Sequence, residues 1–228
     1  MNKMTKLAAA IALASGALTT APAMADVSAT AGFVTDYYFR GVKLGDAAAY
    51  GSVDYSAGGF YAGIWAIDYG TSDDDGDAVE YDLYAGYAFE FENGISVDLG
   101  IIQYEYTDST DSETDLSLTV GFGDFSVNYT DVSDDNPDDD DYDAKVYSIS
   151  WSGEVFGATY GHVDTDETSS GANDEEEYDW IELTASGEVV GLDVTLAIGT
   201  TENVESSGED DGGSDGYILL DVSKSFDL

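Results

Sequence analysis

From Val27 onward the dominant period of the sequence is two. Ile95, Val97, Leu99 and Ile101 alternate with Ser96, Asp98 and Gly100, and Leu192, Val194, Leu196 and Ile198 alternate with Asp193, Thr195, Ala197 and Gly199. Alternation of this kind puts every apolar side chain on one face of an extended strand, and β-branched and aromatic residues dominate that face. No stretch after the first 25 residues has the period of an amphipathic helix. The spacing predicts strands near 27–40, 48–57, 60–70, 79–91, 94–106, 114–122, 124–132, 142–152, 155–164, 177–187, 190–201 and 216–226. The faces of 142–152 and 155–164 are ambiguous.

The connections constrain the fold further, because they alternate between short and long. Ala57-Gly58-Gly59, Glu92-Asn93-Gly94, Gly123-Asp124, Ser152-Gly153-Glu154 and Gly187 to Gly191 have hairpin chemistry. Polar connections at 70–80, 107–115, 131–141, 164–179 and 202–215 are longer, and Gly41 to Ala47 is intermediate. The five long ones hold 30 of the 48 acidic residues. A soluble sandwich has no reason to collect its long loops at one end, whereas outer-membrane barrels pair short periplasmic turns with long extracellular loops. In hydrocarbon every ladder hydrogen bond must close internally, so the sheet must close on itself. The expected fold is an all-β, antiparallel, up-and-down transmembrane barrel of about 12 strands. An even strand number returns both termini to the periplasm. Tyr37, Phe39, Trp65, Tyr69, Tyr104, Tyr106, Tyr129, Trp151 and Trp180 lie near strand ends and are candidates for interfacial girdles.

Residues 1–25 read as a cleaved secretory signal: Lys3 and Lys6, the apolar run Leu7 to Leu18, then Ala23-Met24-Ala25. Residues 26–228 are then one barrel domain. Removing the two leader lysines takes the formal charge from -42 to about -44. Only Arg40, Lys43, Lys145 and Lys224 oppose the 48 carboxylates, which excludes nucleic acid as a partner and favours cations. Disorder is excluded by 17 Tyr, 9 Phe and 3 Trp. There is no cysteine, so no disulfide contributes.

The segment Gly32-Phe33-Val34-Thr35-Asp36-Tyr37-Tyr38-Phe39-Arg40-Gly41 resembles the opening motif of the TorF-type porin family of Gram-negative bacteria. Gly51-Ser52-Val53-Asp54-Tyr55 with Gly59 to Trp65, and Glu80 to Tyr87 with the strand Ile95 to Tyr106, are similar to the same family. The resemblance covers the N-terminal half of the chain after the leader. It implies an outer-membrane porin, whose partners are outer-membrane lipid, the barrel-assembly machinery and small solutes. The chain departs from the pattern at Val42-Lys43-Leu44-Gly45, where relatives are more polar, and at its Asp227-Leu228 end, where barrels favour an aromatic.

On the first predicted strand Phe33, Tyr37 and Phe39 share a lipid-facing parity, while Asp36 and Arg40 share the lumenal one. Four residues of strand separate Asp36 from Arg40 by about 13 Å, so each needs a partner on another strand. Asp54, Glu80 and Asp82 are candidates, for register-fixing salt bridges or for solute selection alike. Asp98, Glu182, Asp193 and Asp221 also have lumenal parity. A ring of carboxylates in a water-filled pore favours cations over anions, although each acid could equally be a solvated lumen residue. Twelve strands give a width between a filled barrel and an open channel. No connection is long enough to form a large plug, so side chains should set the constriction.

Two acidic runs offer hard oxygen ligands: Asp73, Asp75 and Asp77 in one, Asp138 and Asp140 in the other. Neither has the spacing of an EF-hand, so no cofactor is expected beyond loosely bound Ca2+ or Mg2+. A solvated acidic surface accounts for the same residues. His162 lies near Asp164 and Asp166, but no nucleophile motif accompanies it, and an enzyme is not expected. The leading expectation is passive diffusion of small hydrophilic solutes or cations. A closed barrel with acidic surface loops is the alternative, and a soluble periplasmic β-protein a third.

Overall fold

The computed structural model of the chain describes residues 25–72, 76–107, 112–134, 142–167, 177–202 and 215–228. The expected leader up to residue 24 and Asp73, Asp75, Asp138 and Asp140 lie outside these, and Asp77 is described in its backbone only. The chain runs through β1 (Asp26–Val34), β2 (Tyr37–Phe39), β3 (Val42–Gly45), β4 (Ala48–Ala57), β5 (Phe60–Ser72), β6 (Gly76–Glu90) and β7 (Ile95–Tyr106). It continues through β8 (Ser112–Phe122), β9 (Phe125–Asp134), β10 (Tyr142–Ser152), β11 (Phe156–Glu167), β12 (Tyr178–Val189), β13 (Leu192–Glu202) and β14 (Asp215–Asp227).

Twelve of these strands, all but β2 and β3, form a closed antiparallel barrel in sequence order. β1 closes it, pairing Val34 with Ala48 of β4 on one side and with Asp221 of β14 on the other. The amide of Leu228 donates to the carbonyl of Val27 at 2.9 Å and pins the last residue at the seam. Closure leaves no unpaired edge, which is the condition for a sheet to sit in hydrocarbon. The tight turns Gly58-Gly59, Asn93-Gly94 and Val190-Gly191 all lie at the end that carries Asp26 and Asp227. At the opposite end the strands run farther than the alternation indicated: β5 reaches Ser72 and β6 starts at Gly76, inside the connection expected at 70–80. Polar β-formers such as Thr71 and Ser72 continue the ladder beyond the apolar band.

One expectation fails at the first strand. β1 stops at Val34, and Thr35 ties off the ladder by accepting from the Leu220 amide at 2.9 Å and donating its own amide to Leu220 at 3.0 Å. Residues 37–45 are extended, but they form a separate hairpin, β2–β3. Its two-residue turn is Arg40-Gly41, with φ of 49° and 83°. Positive φ at both central residues matches the twist of a tight hairpin, which is why Gly follows Arg here. Asp36 and Arg40 are therefore not on a barrel strand, and Tyr37 and Phe39 do not face outward.

Elsewhere the parity is clear. Leu99, Leu116, Leu183, Ile198 and Ile218 point outward and are about half exposed. Contiguous apolar surface on this scale is rare on soluble monomers and is suited to a hydrocarbon surround. Inward positions carry Thr30, Ser52, Asp82, Asp98, Thr119, Ser150, Thr195 and Asp221, all buried. Among the expected girdle aromatics, Trp65, Tyr104 and Trp180 prove to be interior side chains, whereas Trp151 faces out. β10 and β11 were ambiguous because both their faces are apolar. Ala144, Val146 and Val163 pack inside with Val132 and Trp180, while Tyr147, Ile149 and Tyr160 lie outside.

Candidate functional site: the barrel interior

The hairpin β2–β3 folds into the barrel at its long-connection end, and each residue of its first arm meets a different wall. The Tyr37 hydroxyl donates to Glu80 of β6 at 2.6 Å, and its ring lies 6.1 Å from that of Trp65 on β5. Tyr38 stacks on Tyr217 of β14 with ring centroids 4.1 Å apart. The Phe39 ring sits 5.8 Å from Tyr104 of β7. Arg40 forms an ion pair with Asp115 of β8, and its guanidinium carbon lies 4.5 Å over its own Phe39 ring. The carbonyl of Gly41 accepts from Thr201 of β13 at 2.6 Å, and a Cβ on Gly41 would meet the Trp180 Cβ at 2.6 Å. The connection is short, yet it reaches across the barrel because its side chains are long and aromatic. Backbone as well as side chains therefore occupies the interior at this end, where side chains alone were expected to narrow it. Lys43 clasps the base of the hairpin, 2.8 Å from Asp36 and 2.7 Å from Asp46. The hydrogen bond to Asp36 raises the Lys43 pKa most, and that from Lys43 lowers the Asp46 pKa, so Lys43 and Asp46 stay charged at neutral pH.

Four of the sequence-selected acids are held in one repeated arrangement. Tyr50 of β4 lies over Gly32 of β1 and donates to Asp221 of β14 at 2.7 Å. Tyr84 of β6 crosses Gly63 of β5 to reach Asp54 of β4. Tyr61 of β5 crosses Gly86 of β6 and donates to Asp98 of β7 at 2.9 Å. Tyr217 of β14 crosses Gly199 of β13 and donates to Glu182 of β12 at 2.8 Å. In each case the glycine is directly opposite the tyrosine in the register, and a Cβ there would fall within 2.5 Å of the ring. Only glycine lets the ring lie flat against the wall and its hydroxyl reach the next strand. Asp54, Asp98, Glu182 and Asp221 thus face the interior as acceptors for phenol hydroxyls, which supply part of the stabilisation that a buried carboxylate needs. Asp193 also has inward parity, opposite Ser223.

Asp82 differs. It is 0% exposed, and neither of its oxygens has a donor among the described residues. It lies opposite Trp65 on one side and Tyr104 on the other. The Tyr104 hydroxyl donates at 3.0 Å to the same Asp115 oxygen that receives Arg40. Glu80, Asp82 and Asp115 are all buried, and the guanidinium brought by the hairpin pairs with Asp115. Sequence reasoning paired Arg40 with Asp54, Glu80 or Asp82, and missed Asp115, because register across three strands decides the partner. The one local signal for the inward turn was the Arg-Gly pair itself.

Toward the short-turn end the interior is lined by hydroxyls and amides. Thr30 pairs with Ser225 at 3.0 Å, Asn128 with Thr119 at 3.0 Å, Ser150 with Thr159 at 3.0 Å and Ser186 with Thr195 at 2.9 Å. Lys145 and Lys224 have outward parity; Lys145 lies between Asp131 and Asp164 in the register, and Lys224 donates to the Gly191 carbonyl at 2.6 Å. His162 is also outward, 3.0 Å from Asp179, which accepts from Tyr160 as well.

The sequence matches, over residues 18–211, the family described as a bacterial protein of unknown function (Gcw_chp). No curated protein matches it. Among solved structures the fold is similar to the KdgM porin, at 11% identity and a TM-score of 0.56, over 87% of this chain and 99% of that one. An outer-membrane channel from Pseudomonas putida F1 is similar at 11% identity and a TM-score of 0.56, over 91% of this chain and 97% of that one. The NanC porin follows at 12% identity and a TM-score of 0.50, over 87% and 98%. At these identities the likeness is one of fold.

Proposed function

The chain belongs to the Gcw_chp family, and from that premise we propose that it is a narrow outer-membrane channel for small hydrophilic solutes, with a preference for cations. The observation that carries this reading is the division of one closed sheet into an apolar outer face and a polar, carboxylate-bearing inner face. An apolar band outside needs lipid, and hydroxyls and acids inside need water or each other. The fold likeness to porins and to an outer-membrane channel supports it. So does the resemblance of residues 32–41 to the opening motif of TorF-type porins.

Cation preference follows from the inner charges. Asp54, Glu80, Asp82, Asp98, Asp115, Glu182, Asp193 and Asp221 have inward parity, and the hairpin opposes them with Arg40 and Lys43. Such a lining lowers the energy of a passing cation and raises that of an anion. The long connections would face outward from the cell and both termini the periplasm. The acidic loop residues Asp73, Asp75, Asp77, Asp138 and Asp140 would then hold divalent cations loosely, as a screening layer.

A second reading has its own observation: the hairpin and its aromatic partners fill the long-connection end, as in a closed structural barrel. Conductance of the refolded protein in planar bilayers under a salt gradient separates the two. Discrete steps with a cation-selective reversal potential are expected; a silent bilayer favours the closed barrel, and anion selectivity contradicts the charge argument.

A further inference from the structure

The turn residue Arg40 is an unusual choice. Its φ of 49° lies in the left-handed region, where Asn or Gly is the ordinary occupant of a tight hairpin. Val190 has the same conformation before Gly191 with its side chain in the open, so what sets Arg40 apart is where its end group goes. Here the end group is a guanidinium, 12% exposed, placed against Asp115 in the interior. Beside it are Tyr104, which shares the same Asp115 oxygen, and Phe39, whose face lies 4.5 Å beneath the guanidinium carbon, while Glu80 holds the hairpin through Tyr37. Asp82 has two buried oxygens with no donor among the described residues, opposite Tyr104 in the register. Arg40 answers Asp115 and leaves the Asp82 carboxylate without a hydrogen bond. Asp82 lies within electrostatic reach of Glu80 and Asp115, and the one cation here pairs with Asp115, so the cluster has more acceptors than its present occupant uses.

We propose that Asp82 and Asp115, with Glu80 and Tyr104 beside them, form a binding site for a solute bearing a guanidinium group, and that Arg40 is its tethered stand-in. The inference rests on the channel reading and adds a solute class and a way of opening. An arriving guanidinium exchanges with Arg40 by ion pairing alone, with no covalent step. Five N–H donors in a planar fork suit two carboxylates better than an ammonium does, and an aromatic face completes the site. Loss of the Arg40–Asp115 pair removes one tip contact of the hairpin, leaving the Thr201–Gly41 hydrogen bond, Tyr37–Glu80, Tyr38–Tyr217 and the Lys43 clasp to hold it. Competition of this kind weakens the apparent affinity by the fraction of time the site is self-occupied, so removing Arg40 should tighten binding.

The test uses the full barrel in detergent micelles and in planar bilayers, with methylguanidinium as the probe and sodium at equal ionic strength as the reference. Trp65 lies beside Tyr37 and Trp180 beside Gly41, so intrinsic fluorescence reports on the hairpin. Expected is a saturable fluorescence change with methylguanidinium that sodium does not produce, tightened about tenfold in Arg40→Gln and lost in Asp115→Asn. Tyr38→Ala, which loosens the hairpin without altering charge, should tighten binding in the same direction and serves if Arg40→Gln does not fold. Identical curves for methylguanidinium and sodium, or no tightening in whichever of these variants folds, overturn the proposal. A barrel that binds methylguanidinium in micelles but never conducts overturns the channel reading and keeps the site. A barrel that conducts, with steps indifferent to methylguanidinium, keeps the channel and overturns the opening mechanism.

Discussion

The ring of Tyr38 lies 4.1 Å from that of Tyr217, with the two planes within 16° of parallel. Tyr217 is at the same time laid over Gly199 and donates to Glu182 at 2.8 Å. One aromatic side chain thus joins the inward hairpin to three barrel strands. Stacked aromatic pairs contribute about 0.5–1.5 kcal/mol beyond their buried area. Tyr38→Ala should therefore loosen the hairpin while the barrel stays closed. The expected outcome is a larger single-channel conductance with unchanged heat-modifiable migration on gels.

Tyr50→Phe isolates the phenol–carboxylate arrangement. The ring remains over Gly32, and Asp221, which is 0% exposed, loses the donor now at 2.7 Å. Leaving a buried acceptor without its donor costs about 1–3 kcal/mol. Urea unfolding in lipid vesicles should show that loss, whereas Tyr55→Phe on the outer face should change stability by under about 0.5 kcal/mol. Equal midpoints for the two variants would show that the Tyr50–Asp221 bond is not structural.

Gly161→Ala probes a close approach of backbone and ring. A Cβ at residue 161 would stand 2.0–2.3 Å from three atoms of the Trp180 ring, which is itself buried and packed beneath the hairpin. Overpacking of this kind costs about 1–3 kcal/mol. The variant should lose stability and show red-shifted tryptophan emission, and Trp180→Leu in the same chain should recover part of the loss.

Leu99→Arg tests the surroundings of the barrel. Leu99 is 53% exposed on the outer face, between Tyr87 and Leu118 in the register. Near the middle of a bilayer an arginine on the lipid face costs about 2–4 kcal/mol. Refolding into vesicles should become correspondingly less favourable. A variant that refolds as well as the parent would show that this face does not meet hydrocarbon.

Much of the architecture could be read from local pattern. Twelve barrel strands and the short turns between them follow from alternation and from Gly-containing pairs such as Gly58-Gly59 and Asn93-Gly94, because each signal resides in a few adjacent residues. The inward parity of Asp54, Asp82, Asp98, Glu182, Asp193 and Asp221 belongs to the same class, since one strand's period determines it. Tyr37 to Gly45 resisted this treatment for a physical reason. An inward hairpin and the continuation of a barrel strand have the same two-residue period, and only contacts with distant strands distinguish them. The girdle reading of Trp65, Tyr104 and Trp180 failed in the same way, because an aromatic near a strand end is equally at home against lipid or against a hairpin inside.

By itself the sequence determined that this chain makes a closed antiparallel barrel, with acidic connections at one end and an apolar band around it. These are consequences of period and turn chemistry. Register across strands, and with it every specific partner, was decided only in the tertiary structure. Arg40 with Asp115, Tyr50 with Asp221 through the space left by Gly32, and Asp82 with no donor among the described residues are outcomes of how neighbouring strands align. A shift of one residue in any ladder would turn those side chains to the opposite face. The barrel is therefore written in each strand separately, whereas the interior chemistry exists only once all of them have closed.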